Sequence, residues 1–438
     1  MLALVLTLSL AFIAPPQKSK AAPGFAGRWM TNFGPFELAL DGKKASGKYG
    51  WANESRVNGE VDGAKLNFQW HGVNGQGHGE LELWPDGTTL YGKYDWGTTE
   101  EQFWGGYRLE RKAAEPKPGE ISDGQTELGL NYHLRVPKGF AKKDKKKRWT
   151  ALALFHGSNS NARDYVEGFP GNWPELAENY ILVGFDGEQL SPSSANGVRQ
   201  YNASYINFSG DKVGEPWRYR QTPGLVAGAL QELSQELPIE RWYVGGHSQG
   251  AFLTFAVAMF YPELVAGAFP VAGNLLVQCE PSYFADDKWA KVREAQRRIP
   301  FAIVHGQKDS VVEFSAGTWC RNSLLDGGFP MLRLFAPENA GHPWAFLPVD
   351  EALRWLDALN ASEPETLLEF ARASAKDGRP RDALAALARL EEQKPKPPLL
   401  KSAGELAAEL EAAARPTVER LEPLVAAGGD GQWIEDFL

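Results

Sequence analysis

The sequence predicts an α/β fold, a mostly parallel sheet with helices on both faces, flanked by an antiparallel β-module and a helical appendage. Three observations point there. The apolar run Trp242-Tyr243-Val244 leads into Gly246-His247-Ser248-Gln249-Gly250, and a helical apolar stretch from Ala251 to Phe260 follows. Further short apolar runs, Trp149 to Phe155, Tyr180 to Gly184 and Pro300 to Val304, have the length and continuity of strands buried on both faces. Before them lie alternating runs such as Leu66-Asn-Phe-Gln-Trp70, cut by Asp-Gly and Asn-Gly turns.

The chain divides accordingly. Residues 1–22 read as a signal peptide, with an apolar core from Leu2 to Ala14 and a small-x-small site at Ser19-Lys-Ala21. The positive residues that usually precede such a core are missing, and an uncleaved anchor is the alternative. Export is the expectation, with no stable membrane association once the leader is removed.

Residues 24–112 form the β-module, in which Asp41-Gly42 and Gly47-Lys-Tyr-Gly-Trp51 recur as Asp86-Gly87 and Gly92-Lys-Tyr-Asp-Trp96. Repeated hairpins argue for a meander closing into a small barrel or sandwich. Trp29, Trp51, Trp70, Trp84, Trp96 and Trp104 read as its aromatic core, with a stacking platform for sugar or polymer as the functional alternative. Residues 113–125, rich in proline and charge, read as a linker. Residues 126–360 hold the parallel sheet.

Residues 361–438 read as helical, including two helices joined at Lys376-Asp-Gly-Arg-Pro380 like one tetratricopeptide pair, and a further helix pair after the break at residues 394–398. One such pair cannot bury its apolar face alone. It is expected to dock on the sheet domain, with a partner-binding surface as the alternative.

A serine between two glycines, at a sharp strand-to-helix turn, is placed for nucleophilic attack. Its hydroxyl needs a base. Of the seven histidines, His71 and His78 lie in the β-module and His133 precedes the run at Trp149. His156 and His305 stand at strand ends before glycines and read as loop-structuring groups, and His247 is placed inside the turn, facing away from the base. His342, flanked by Gly341 and Pro343, remains. Asp309, on the loop after the 300–304 run, is the acid expected to hold the imidazole, with Glu313 as competitor. The oxyanion donors are expected to be the Gln249 amide and one from the Gly157-Ser158 turn.

These pieces, Leu154-Phe-His-Gly157, the Gly246–Gly250 turn, His305-Gly-x-x-Asp309 with Val311-Val312, and Gly341-His342, carry a resemblance. From about Leu128 to Leu359 the chain resembles the α/β-hydrolases, and among them secreted esterases grouped with polyhydroxybutyrate depolymerases and feruloyl esterases. The resemblance implies hydrolysis of a carboxylic ester through an acyl-serine, with polymeric or feruloylated substrates in view. It also implies that the insertion holding Tyr201, Tyr205, Trp217, Arg218 and Tyr219 frames the acyl pocket, with packing under the sheet as the equal alternative for these side chains. A serine peptidase of the same fold and a non-catalytic carbohydrate- or partner-binding protein are the alternatives.

Composition limits the rest. A formal charge of −9 gives no extended basic face, which argues against nucleic acid, and the cluster Lys142 to Arg148 reads as a solvated loop. No CxxC, HExxH or carboxylate cluster implies a metal or other cofactor. The two cysteines, Cys279 and Cys320, could pair after export.

Overall fold

The computed structural model describes residues 24–31, 33–50, 55–72, 75–85, 87–98, 102–109, 112–141, 147–187, 189–190, 199–200 and 216–426. The expected leader, Trp51, residues 142–146 of the basic cluster, Tyr201 and Tyr205 lie outside the described residues. The chain forms two compact units, Met1–Arg108 and Leu109–Leu438.

The first unit is a closed antiparallel barrel of eight consecutive strands. They are β1 (Gly27–Thr31), β2 (Gly34–Asp41), β3 (Lys44–Tyr49), β4 (Ser55–Asp62), β5 (Lys65–Gly72), β6 (Gly75–Leu83), β7 (Thr89–Tyr94) and β8 (Gln102–Arg108). Strand β1 pairs with both β2 and β8, which closes the ring and leaves no edge. Alternation decides what faces inward: in β5, Leu66, Phe68 and Trp70 are buried between exposed neighbours.

Trp104 sits among the inward aromatics, meeting Phe68 edge-on at 5.1 Å and Tyr49 at 4.9 Å between ring centroids. The sequence repeat has a steric reason. At Gly47 and Gly92 a Cβ would stand 2.6 and 1.9 Å from carbonyl oxygens of the neighbouring strand, so only glycine fits either copy. Trp29, Trp70 and Trp104 are core, whereas Trp96 is 41% exposed.

The second unit is built on an eight-stranded sheet of order β18-β17-β16-β15-β11-β12-β10-β9. Its strands are β9 (Ile121–Gln125), β10 (Asn131–Arg135), β11 (Trp149–Phe155), β12 (Tyr180–Phe185), β15 (Ile239–His247), β16 (Gly267–Val271), β17 (Phe301–Val304) and β18 (Leu332–Phe335). The two-residue strands β13 (Gln189–Leu190) and β14 (Arg199–Gln200) pair with each other separately. All pairings from β12 to β18 are parallel, and β10 joins antiparallel. Every residue of β12 and β16 is buried, as strands covered by helices on both faces require.

Six helices accompany this sheet: α1 (Ala162–Asn172), α2 (Pro216–Glu236), α3 (Gln249–Phe260), α4 (Ala290–Gln296), α5 (Phe314–Asp326) and α6 (Val349–Leu359). The insertion residues Trp217, Arg218 and Tyr219 fall within α2.

Two boundary expectations are corrected. Residues 113–125 are not a free linker, because β9 adds an edge strand beside β10 and Lys112 bridges to Gln125. The hydroxyl of Tyr132 also accepts from the Ala114 amide at 2.9 Å. Likewise, the expected helix pair after residue 398 is one long helix, α9 (Pro397–Ala426), in which Pro416 forgoes a backbone donor without ending the helix. The two cysteines are both buried free thiols rather than a disulfide.

Helices α7 (Pro364–Lys376) and α8 (Pro380–Glu392) join the sheet unit's own core. Leu367, Leu387 and Leu390 belong to the same buried cluster as Phe335 and Trp355. Within that apolar contact Asp382 of α8 is 5% exposed. It accepts from Trp355 Nε1 at 3.0 Å, Arg333 Nη1 at 3.2 Å and Arg379 Nη1 at 3.0 Å. Removing this shared acceptor strands a guanidinium and an indole N–H. Asp382→Leu is therefore expected to destabilise the full chain by about 3 kcal/mol in a urea melt. An unchanged midpoint would show that the helices are held by apolar contact alone.

Candidate active site

Ser248 lies between β15 and α3 with φ 54° and ψ −117°, a backbone conformation costly for a residue with a side chain. Its neighbours enforce it. A Cβ at Gly246 would stand 2.5 Å from the Gly250 carbonyl oxygen, and one at Gly250 would stand 2.1 Å from that of Phe155. Only glycine at both positions lets the chain turn this closely beside β11. Ser248 N–H donates to Val271 O and its carbonyl accepts from Ala251, both at 2.9 Å, so the bend is fastened at each end. The half-buried side chain thus stands at the start of α3, where the first amides have no partner within the helix and the dipole is positive.

The loop after β17 carries Asp309, whose side chain is fully buried. Its Oδ1 accepts from the Val311 and Val312 amides at 2.9 Å each, and its Oδ2 lies 2.8 Å from His342 Nδ1. Burial opposes the charge, yet the His342 ring and the two amides outweigh it and hold the carboxyl below its usual range. A carboxylate only accepts, so His342 carries its proton on Nδ1 and presents a lone pair at Nε2. Glu313, the competing acid, is exposed at the start of α5 and meets Ser315 instead.

His342 follows β18 and reaches the serine turn through His247. His247 Nε2 lies 2.8 Å from the His342 carbonyl oxygen, and the two rings are 4.6 Å apart. His247, expected to face away from His342, instead stands against it. No hydrogen bond joins the Ser248 hydroxyl directly to His342 among the described residues. Such bonds are often long without substrate and shorten when it binds.

The other strand-end histidines serve their own turns. His156 Nδ1 donates to Gly157 O at 2.8 Å and its Nε2 accepts from Gly187 at 3.2 Å, with burial lowering its pKa. His305 Nε2 donates to Val312 O at 2.8 Å, behind Asp309, and burial lowers its pKa too.

The oxyanion candidates resolve unequally. The Gln249 amide opens α3, as expected. Of the Gly157-Ser158 pair, the Gly157 N–H donates to Tyr165 Oη at 3.2 Å. Ser158 lies exposed on the same turn. Neither Tyr165 nor the orientation of His247 carried a signal in the sequence, because both contacts depend on how α1 packs. The arrangement combines a hydroxyl on a strained turn, an imidazole of fixed tautomer, a buried carboxylate and two amides, the parts needed for acyl transfer.

With this geometry in place, the comparisons are specific. Residues 221–327 match a family described as Phospholipase/Carboxylesterase. Acyl-protein thioesterase 1 of Eremothecium gossypii is 30% identical over 226 residues, covering 49% of this chain and 90% of that protein. Its namesake from Aspergillus fumigatus is 19% identical over 155 residues, covering 34% and 62%. Among solved structures, Zea mays acyl-protein thioesterase 2 is 18% identical with a TM-score of 0.36, covering 52% of this chain and 97% of that one.

The depressed Asp309 pKa sets the sign of a pH effect. A carboxyl held lower in the folded state adds stability that is complete above the unfolded value of about 3.9 and is lost as pH falls through the folded one. Asp309→Asn is expected to flatten this acid limb in urea melts run across that range. An unaltered limb would mean that His342 does not hold the carboxylate.

Proposed function

Because the chain belongs to the phospholipase/carboxylesterase family of α/β-hydrolases, we propose that it cleaves carboxylic esters and thioesters through an acyl intermediate on Ser248. The observation that carries this reading is the 2.8 Å contact between Asp309 and His342 beside the strained Ser248 turn. His342 Nε2 takes the Ser248 proton as Oγ bonds to the substrate carbonyl carbon. Negative charge gathers on the carbonyl oxygen, where the Gln249 and Ser158 amides donate to it. Collapse breaks the bond to the leaving oxygen or sulfur, which receives the proton from His342. Water then attacks the acyl-serine, giving its proton to the same nitrogen, and the acid departs as Ser248 is restored.

Throughout, Asp309 stays ionised and steadies the imidazolium. One lost oxyanion donor costs about 3 kcal/mol of transition-state stabilisation, so the amides matter on the scale of the triad itself.

A polymeric or feruloylated acyl donor is the finer part of the proposal. Its support is Trp96, the large aromatic of the barrel that stands exposed among the described residues.

Ser248→Ala is expected to lower turnover of p-nitrophenyl butyrate by at least about 10³-fold with the fold intact by circular dichroism. Retention of wild-type turnover would remove Ser248 from the chemistry. Trp96→Ala is expected to weaken adsorption to an insoluble polyester while soluble ester turnover stays unchanged. Unchanged adsorption would detach the barrel from substrate capture.

A further inference from the structure

We infer that Tyr165 and His247 are positioning residues, joined in a hydrogen-bonded strap that holds the His342 loop in register with the Ser158 turn. The inference rests on the serine-hydrolase reading above. The strap starts at the oxyanion turn, where Gly157 N–H donates to Tyr165 Oη at 3.2 Å. Tyr165 Oη lies 2.8 Å from His247 Nδ1, and His247 Nε2 lies 2.8 Å from the His342 carbonyl oxygen.

The protons in this chain have one consistent arrangement. A carbonyl oxygen only accepts, so His247 Nε2 must carry a hydrogen. Burial draws the His247 pKa down to about 4, which keeps the ring neutral near pH 7 and leaves Nδ1 as an acceptor. Tyr165 therefore donates its hydroxyl hydrogen to Nδ1 and accepts from Gly157 on the oxygen. Burial also lifts the Tyr165 pKa to about 12, so the hydroxyl keeps its hydrogen across the working range.

Neither side chain is needed for the proton transfers of the reaction. What they do is join parts that arrive from different elements. Tyr165 comes from α1, Gly157 from the turn after β11, His247 from the end of β15 and His342 from the loop after β18. His342 is consequently held twice, at ring Nδ1 by Asp309 and at its main-chain carbonyl by His247. Packing reinforces the same link: Trp344, next but one after His342, is buried with its ring 5.0 Å from Tyr165 and 5.2 Å from Trp173. Because His247 adjoins Ser248 in the chain, displacing the strap displaces the base relative to the hydroxyl it serves.

The test is steady-state kinetics of the full chain with p-nitrophenyl butyrate, each variant accompanied by a thermal melt. Tyr165→Phe removes one oxygen and no volume of consequence, and His247→Phe removes both ring nitrogens. Both are expected to lose about 10- to 100-fold in kcat with KM held within about two-fold, as for a catalytic group misplaced by a fraction of an ångström. His247→Gln, whose amide N–H can still donate to the His342 carbonyl, is expected to recover most of that loss. Wild-type kcat in both Phe variants, or equal losses in His247→Phe and His247→Gln, would overturn the strap. Wild-type turnover by Ser248→Ala in the same assay would instead bring down the hydrolase reading beneath it.

Discussion

The bond from His342 Nδ1 to a fully buried Asp309 carboxylate is the constraint on which the site depends. It decides which imidazole nitrogen has a lone pair, and so which one can take a proton from Ser248. The carboxylate can be buried because its remaining acceptor is satisfied by the Val311 and Val312 amides. Strand order makes the bond possible. β15, β16, β17 and β18 run parallel and adjacent, so the residues following β15, β17 and β18 emerge at one edge of the sheet. The strain at Ser248, on the order of 1–3 kcal/mol, is absorbed by the close glycine packing around the turn.

Much of this was legible in the sequence, for physical reasons. Parallel strands covered on both faces must be continuously apolar, which made β11, β12 and β17 readable. The serine turn was readable because only glycine tolerates the approach of Phe155 and Gly250. Asp309 and His342 could be named because each follows a strand in the right order, whereas Glu313, after a Val-Val pair, reads as a helix start, and α5 does begin there.

What stayed hidden depends on tertiary packing. A glycine and a serine at one turn look equally able to donate, and nothing in their own sequence shows that the Gly157 amide meets Tyr165. His247 looked like a spectator because the direction of a side chain inside a turn is not encoded by neighbours in sequence. Residues 113–125 looked like a linker because an edge strand needs little apolar character, and β9, Ile121-Ser-Asp-Gly-Gln125, has little. The motifs around Ser248, Asp309 and His342 are common to the fold as a whole, so they could not distinguish a depolymerase-like branch from the phospholipase/carboxylesterase one.

The C-terminal helices extend the same core. Asp382 gathers donors from β18, α6 and the turn before α8, while Trp355 presents an apolar ring to Phe335 and its N–H to that carboxylate. A single helical pair left in water would expose its apolar face, and its docking on α6 removes that cost. β18, which Arg333 ties to the appendage, also leads directly into the loop that carries His342.

Intact-mass and peptide mass spectrometry after fluorophosphonate treatment tests the central claim most directly. The account requires one phosphonyl adduct per chain, located on Ser248, absent from Ser248→Ala and formed far more slowly by His342→Ala. An adduct on another residue, or labelling of Ser248 at the same rate without His342, would contradict it.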